Sequence, residues 1–310
     1  MNIRRSISWI SIALIATVVI GEAAVREAGL VDIPIYAVDG EIGYIPQPNQ
    51  HGCFLNKRCW VFNDRSMGTA TAWNPDAHPN ILLIGNSIVM GGNPYDQHDK
   101  LGPLVQQQVG TDYSVWPIAA GGWTNVNETV YLERHPEVLK RAQFFVWEFM
   151  TGGESQLAAW GGDYVWPHEH PKWALCYVLR RYALPHFFNL NMNELPPQGA
   201  IDRVNLSKFE ATLAQIAQAT GRKQPGILFL YPSKVQLQTA RQGREWLPER
   251  PELERLSRRY ALKLVDISTY PEWTEAQYRE GTHPTVAGNR MLADILSAAI
   301  KDSLQQEPTH

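Results

Sequence analysis

Residues 80–87 read NILLIGNS, and the fold class follows from them. The run from Asn80 to Gly85 is short, almost wholly apolar and closed by glycine. A strand covered by helices on both faces reads this way, because neither face has to meet water. Working outward, similar runs recur at Tyr113–Ala120, Phe144–Met150, Ile227–Tyr231 and Lys263–Ile267. The segments between them space their apolar residues as helices do. These are Leu101–Val109, Asn125–Arg141 (despite Pro136), Leu206–Thr220, Glu252–Tyr260 and about Thr285 to Leu304. Strands alternating with helices predict an α/β fold, a three-layer α/β/α sandwich on a parallel sheet.

The rest of the chain divides around this core. Residues 25–78 carry turn formers, Asp39-Gly40 and Pro46-Gln47-Pro48-Asn49, among short apolar stretches. They predict short strands and loops, a lead-in or small β subdomain ahead of a catalytic domain at 79–310. Within that domain, residues 151–205 lose the rhythm and read as an irregular insertion rich in Trp, His, Pro and Gly.

Composition narrows the function. The chain has 310 residues, with 28 Lys and Arg against 31 Asp and Glu, a net charge of −3. Nucleic-acid binding needs clustered excess Lys and Arg, so no nucleic-acid partner is expected. A hydrophobic fraction of 44% excludes an extended disordered chain. The unusual count is 11 Trp.

At the N-terminus, Arg4 and Arg5 precede an uncharged stretch from Ser6 to Gly21. Basic residues before an apolar run describe either an uncleaved membrane anchor or a signal peptide. Residues 1–24 are therefore an anchor or signal, and the remainder is expected on the extracytoplasmic (periplasmic) side. Residues 6–21 would hold it to the inner membrane; the alternative is secretion after cleavage. Cys53 and Cys59 could close a small disulfide loop in such an oxidising compartment, or remain two free thiols.

In a parallel α/β sheet, ligands gather at the carboxyl ends of the strands. The first strand ends in Gly85-Asn86-Ser87, which puts a hydroxyl on the turn leaving a buried strand. The second ends in Ala119-Ala120-Gly121-Gly122, where no side chain obstructs the backbone N–H groups. Near the far end stands Glu280-Gly281-Thr282-His283-Pro284, and Pro284 suits the first position of the last helix. These pieces meet the needs of acyl transfer. A serine needs a base, histidine suits that role, and a carboxylate must orient the imidazole. Backbone donors from Ser87 and Gly122 could serve the oxyanion. The string GNSIV lacks the G-x-S-x-G of an α/β-hydrolase elbow.

The combination of GNS after a first buried strand, Gly after the second, and acid-x-x-His-Pro before the last helix resembles the SGNH, or GDSL-type, hydrolase superfamily. The resemblance covers about residues 79–304. It implies Ser87 as nucleophile, His283 as base, Glu280 as orienting acid and Gly122 as an oxyanion donor. Asn86 and Glu280 stand where that family usually has Asp. Its third block, Gly-x-Asn-Asp at the end of the third strand, reads VWEFMTGGE here and has no Asn. A substitute donor is expected, with the backbone at Thr151–Gly153 a candidate.

Other residues are weaker candidates. Trp123, Trp147 and Glu148 lie at or beside strand ends and are candidate substrate contacts. His168, His170 and His186 do not complete a metal site, so no metal and no cofactor is expected. Lys234 reads as an exposed lysine or as a contact for an anionic substrate. The expected partners are a carbohydrate or polysaccharide substrate, an acyl donor, and a membrane-bound protein able to supply the acyl group. The expected function is polysaccharide O-acetyltransfer through an acyl-enzyme on Ser87. One alternative is a carbohydrate acetylesterase with the same triad. The other is an inactive SGNH-fold protein that binds polysaccharide or acts as a scaffold.

Overall fold

The structure, a computed structural model, describes residues 3–151, 156–188 and 203–305. It opens with a long helix, α1 (Ile3–Glu27), followed by two antiparallel hairpins. The first pairs β1 (Tyr36–Asp39) with β2 (Gly43–Pro46), and the second pairs β3 (Gln50–Phe54) with β4 (Arg58–Phe62). A disulfide joins Cys53 to Cys59, which stand opposite each other in the second hairpin.

The central sheet starts at β5 (Asn80–Gly85), followed by the short α2 (Ser87–Met90) and α3 (Leu101–Val109). Next come β6 (Ser114–Ala119), α4 (Asn125–Arg134), α5 (Pro136–Leu139) and β7 (Ala142–Phe149). After β7 lie α6 (Ala174–Val178), a π-helical stretch at Leu179–Ala183, and α7 (Leu184–Phe188). The chain continues through α8 (Arg203–Thr220), β8 (Gly226–Leu230), α9 (Lys234–Arg241), α10 (Arg250–Arg259), β9 (Lys263–Asp266) and α11 (Val286–Gln305).

Among the described residues the central sheet has five strands in the order β6-β5-β7-β8-β9, every neighbouring pair parallel. Helices pack on it from α3, α8, α10 and α11. This is a three-layer α/β/α sandwich. The chain goes from β5 outward to β6, then returns past β5 to β7. The switch in direction leaves a crevice beyond the carboxyl end of β5, where such sheets bind ligands. Every residue of β5 and β8 is buried, as their unbroken apolar runs require.

Three details differ from the sequence reading. The helix expected over Asn125–Arg141 is two helices, because Pro136 has no N–H to continue the ladder and instead opens α5 at its first turn. The α9 helix was not among the helices read from spacing. Its signal is Ser233-x-x-Gln236, a reciprocal capping box whose hydroxyl and amide satisfy orphan backbone N–H groups. The 151–205 stretch is not irregular throughout, since Ala174–Phe188 is helical. Its apolar residues serve a local contact: Tyr177 joins Ile33 and Phe54 in a small second core, with Val178 packed against it. Residues 152–155 and 189–202 of that stretch lie outside the described residues.

Closing the Cys53–Cys59 loop, a sequence separation of 6, restricts the unfolded chain. In the chain-entropy account a loop of that size contributes about 2 kcal/mol. A Cys53→Ser/Cys59→Ser variant should therefore unfold at lower denaturant concentration than wild type. Coincident transitions would mean the bridge adds nothing.

Candidate active site

The turn after β5 is built around its missing and capping groups. A Cβ on Gly85 would come 2.6 Å from Val89 Cγ2 and 2.9 Å from Glu148 Cβ, so only glycine fits between the strand and its neighbour. Asn86 then caps α2, its Oδ1 accepting the Ile88 N–H at 3.1 Å. Its side-chain amide nitrogen lies 3.3 Å from Met150 Sδ. Ser87 follows as the first residue of α2, partly accessible, while Ile88, Val89 and Met90 are buried. The Ser87 hydroxyl is thus presented at the sheet edge by a buried helical turn.

The far end of the chain completes the line. The Ser87 Oγ stands 2.8 Å from His283 Nε2, across a separation of 196 residues. The other ring nitrogen, Nδ1, bonds Glu280 Oε1, which also accepts the His283 backbone N–H at 2.9 Å. Partial burial pushes the Glu280 carboxyl up, but these His283 hydrogen bonds and charge outweigh it and hold the carboxyl below its ordinary value. An ionised Glu280 keeps the proton on Nδ1, which leaves Nε2 free to accept from the Ser87 hydroxyl. Glu280, although one methylene longer than Asp, reaches the ring because its residue curls back over its own loop. That loop is anchored by the Tyr278–Pro284 bridge, by Tyr231 donating to Thr282 O at 2.7 Å, and by Lys234 N donating to Gly281 O at 2.8 Å.

The expected helix start is shifted. Pro284 is not the first residue of the last helix; α11 begins at Val286, with Thr285 as its cap. The Thr285 Oγ1 accepts the Gly288 N–H at 2.9 Å, so the hydroxyl does the work assigned to the proline. Pro284 instead ends a short extended bridge, which holds His283 beside Ser87.

Gly122 follows β6 with φ +77, a conformation that favours glycine. The preceding carbonyl, Gly121 O, accepts from the buried Tyr44 hydroxyl at 2.7 Å. A trans peptide places its N–H opposite its C=O. The Gly122 N–H is therefore aimed away from Tyr44. Among the described residues neither Ser87 N–H nor Gly122 N–H donates to another group. No side chain from the end of β7 supplies a further amide donor: Met150, not an asparagine, faces Asn86 there. Of the suggested substitute, Gly152 and Gly153 lie outside the described residues. Thr151 Oγ1 accepts from Gln236 Nε2 at 3.0 Å.

The three candidate substrate contacts do not face the crevice. Trp123 and Trp147 are buried, because their indole N–H groups are spent inside: Trp123 donates to Tyr44 O and Trp147 to Glu128 Oε2, both at 2.7 Å. Glu148 is buried under the nucleophile turn, where its Oε2 accepts the Asn86 N–H at 3.1 Å. Period-2 strand geometry explains Trp147 and Glu148, since a residue can sit at a strand's carboxyl end and still point into a helix-covered face. Trp123, in the turn between β6 and α4, is drawn in by its bond to Tyr44 O in the first hairpin. Glu128 lies in the same buried region and accepts from Asn125 Nδ2 at 2.7 Å as well. Burial pushes the Glu128 carboxyl up to about 7, and burial and the Glu128 charge together push Glu148 well above the usual carboxylate range.

A cavity of about 320 Å³ opens over the Ser87–His283 pair. Its walls include Tyr36, Phe54, Gly121, Trp166, Tyr182 and Arg279. The lead-in hairpins and the 165–182 segment therefore form one side of the crevice; the insertion was expected over the site, the hairpins were not. Trp166 is the one tryptophan on its wall; Tyr44 stacks on it at 5.2 Å between ring centroids. Lys234 is partly exposed and pairs with Glu275 at 3.1 Å. No cluster of three metal-ligating side chains occurs among the described residues, and His168 is taken by Asp163.

No family model matches the chain, and no curated protein matches it. Solved structures do. A lipase/acylhydrolase from Enterococcus faecalis is 15% identical over 72% of this chain and 96% of its own, with TM-score 0.43. The inhibitor-bound aryl esterase of M. smegmatis is 14% identical over 73% and 99%, with TM-score 0.42. Est24, a carbohydrate acetylesterase from Sinorhizobium meliloti, is 11% identical over 72% and 99%, with TM-score 0.41.

Two outcomes test this architecture. Gly85→Ala should cost about 1–3 kcal/mol through overpacking against Val89 and Glu148, read by chemical denaturation. The Glu128 carboxyl binds its proton more tightly folded than unfolded between pH 4.5 and about 7. The Glu128 contribution to stability should therefore fall as pH rises through that window, and Glu148, also raised, adds a fall of the same sign. Glu128→Gln should flatten this slope in thermal melts, and an unchanged slope would assign it to other groups.

Proposed function

We propose that this chain is an extracytoplasmic SGNH-type serine acyltransferase, which forms an acyl-enzyme on Ser87 and passes an acetyl group to a polysaccharide hydroxyl. The observation that carries the reading is the continuous hydrogen-bonded line from Glu280 through His283 to Ser87 at the sheet's switch point.

The chemistry follows from that line. His283 Nε2 takes the proton as Ser87 Oγ bonds to the acyl carbon. The carbonyl oxygen becomes an oxyanion, for which Ser87 N–H and Gly122 N–H are the available backbone donors. Imidazolium then protonates the departing oxygen, and the bond to the donor breaks, leaving acetyl on Ser87. An acceptor hydroxyl repeats the sequence in reverse with His283 as base, which restores the free serine. Glu280 stabilises the imidazolium in both halves.

A cavity of about 320 Å³ with the Trp166 indole on its wall has room for a sugar ring, and indoles offer apolar area with a polar edge. Hydrolysis is a second reading, since the side chains of His283 and Glu280 remain 31% and 48% exposed and water can reach them. The α1 helix supports membrane attachment: Trp9–Glu27 is long and apolar enough to cross a bilayer. With Arg4 and Arg5 inside, the catalytic part lies outside the cytoplasm.

Wild type in detergent should give a burst with p-nitrophenyl acetate, and Ser87→Ala or His283→Ala should abolish it. Glu280→Gln should lower kcat by about 10²–10⁴-fold, because a misoriented imidazole is a poor base. A wild type with no burst, matched by both alanine variants, would sink the enzyme reading. Incubation with an acetyl donor and a neutral polysaccharide, followed by mass spectrometry, separates transfer (acetylated polymer) from hydrolysis (free acetate alone).

A further inference from the structure

The outer surface of α1 is unpacked: Trp9, Ile10, Leu14, Ile15, Val19 and Ile20 are each more than half exposed, although all are apolar. Among the described residues, its last turns make the contacts with the rest of the protein. Glu22 accepts the backbone N–H groups of Ala174 and Leu175 at 2.9 and 2.8 Å, capping the start of α6. Arg26 donates to Lys172 O at 2.8 Å and to Pro171 O at 3.2 Å. Gly21 is close enough to Leu175 that a Cβ there would lie 3.0 Å from its Cδ2.

Those contacts set a level. The uncharged part of α1 ends at Gly21 and the first charge is Glu22, so the bilayer surface falls at this step. The Trp173–Phe188 segment begins at the same height. Its inner side is committed to protein: Ala174 and Tyr177 are buried, and Arg180 lies 3.7 Å over the Tyr164 ring. Its outer side is apolar and uncovered, with Trp173 68%, Leu179 46%, Phe187 79% and Phe188 67% exposed. An exposed apolar patch continuous with a membrane helix, starting with Trp and preceded by the exposed Lys172, has the make-up of an interfacial amphipathic segment.

We propose that Trp173–Phe188 lies in the headgroup layer of the membrane as a second contact beside α1, with lipid as its occupant. The inner face of the same segment supplies Arg181 and Tyr182 to the cavity over Ser87, so one wall of the crevice stands at the lipid surface. The proposal rests on α1 spanning the bilayer, and the experiment separates the two.

The full chain carrying Cys176→Ser is reconstituted in phosphatidylcholine/phosphatidylglycerol nanodiscs, leaving no free thiol. Single Leu179→Cys or Phe187→Cys variants then carry an environment-sensitive fluorophore. Lys301→Cys, exposed near the far end of α11, is the water-facing reference. The expected result at 179 and 187 is blue-shifted emission, quenching by lipids spin-labelled near the headgroup, and loss of the aqueous iodide quenching seen at 301. Iodide quenching equal to that at 301 overturns the proposal. So does shielding from iodide without lipid quenching, which would mean another copy of the chain covers the segment. Release of the wild-type chain from cell membranes by alkaline carbonate overturns the α1 reading as well; retention with a water-exposed label overturns only the interfacial one.

Discussion

The hydrogen bond between Ser87 and His283 joins groups 196 residues apart, and much of the molecule is arranged to keep it at 2.8 Å. On the serine side the constraint is packing. Gly85 lets β5 pass close to Glu148, Asn86 caps the turn, and the residues after Ser87 are buried so that the turn cannot swing. On the histidine side the constraint is hydrogen bonding within a loop that has no helix of its own. Tyr231, Tyr278 and Lys234 hold that loop from the neighbouring β8 end and from α9. The site is therefore a junction of two supports with different physics, one steric and one polar.

Beneath the nucleophile turn lies an unusual choice for a core. Glu128 and Glu148 are both buried, and no Lys or Arg is hydrogen-bonded to either among the described residues. A buried carboxylate without a counter-ion is costly, and the outcome is a raised affinity for protons. A carboxyl that has taken up a proton still holds its backbone or indole N–H donor and places less negative charge under Ser87. Under the acyl transfer proposed above this matters, since a fixed buried charge of the same sign would oppose an oxyanion nearby.

The lead-in and the segment after β7 change what the sheet alone would offer. An open crevice at a switch point becomes a walled cavity once Tyr36, Phe54, Trp166 and Tyr182 close one side. Tyr182 of these walls connects through α6 to α1, because Glu22 caps α6, which runs on into the helical stretch Leu179–Ala183. The cavity wall and the apolar N-terminal helix thus share one set of contacts.

Local chemistry was enough for a large part of this protein. The apolar run Asn80–Gly85 must be buried on both faces, so it determines a central parallel strand; Ser87, Gly122, Glu280 and His283 stand out because they fall at strand and helix ends in one order. The run before Glu22 determines an unpacked apolar helix. Only the tertiary structure decided which way these side chains point. Trp147 and Glu148 turned inward, because a sheet covered on both sides has no outward face for them, and Trp123 turned toward the first hairpin, where Tyr44 O accepts its N–H. It likewise decided that Thr285 caps α11 in place of Pro284, and that the lead-in hairpins bring Tyr36 and Phe54 to the cavity. Those outcomes depend on contacts between residues far apart in the chain, and spacing along the chain carries no record of them.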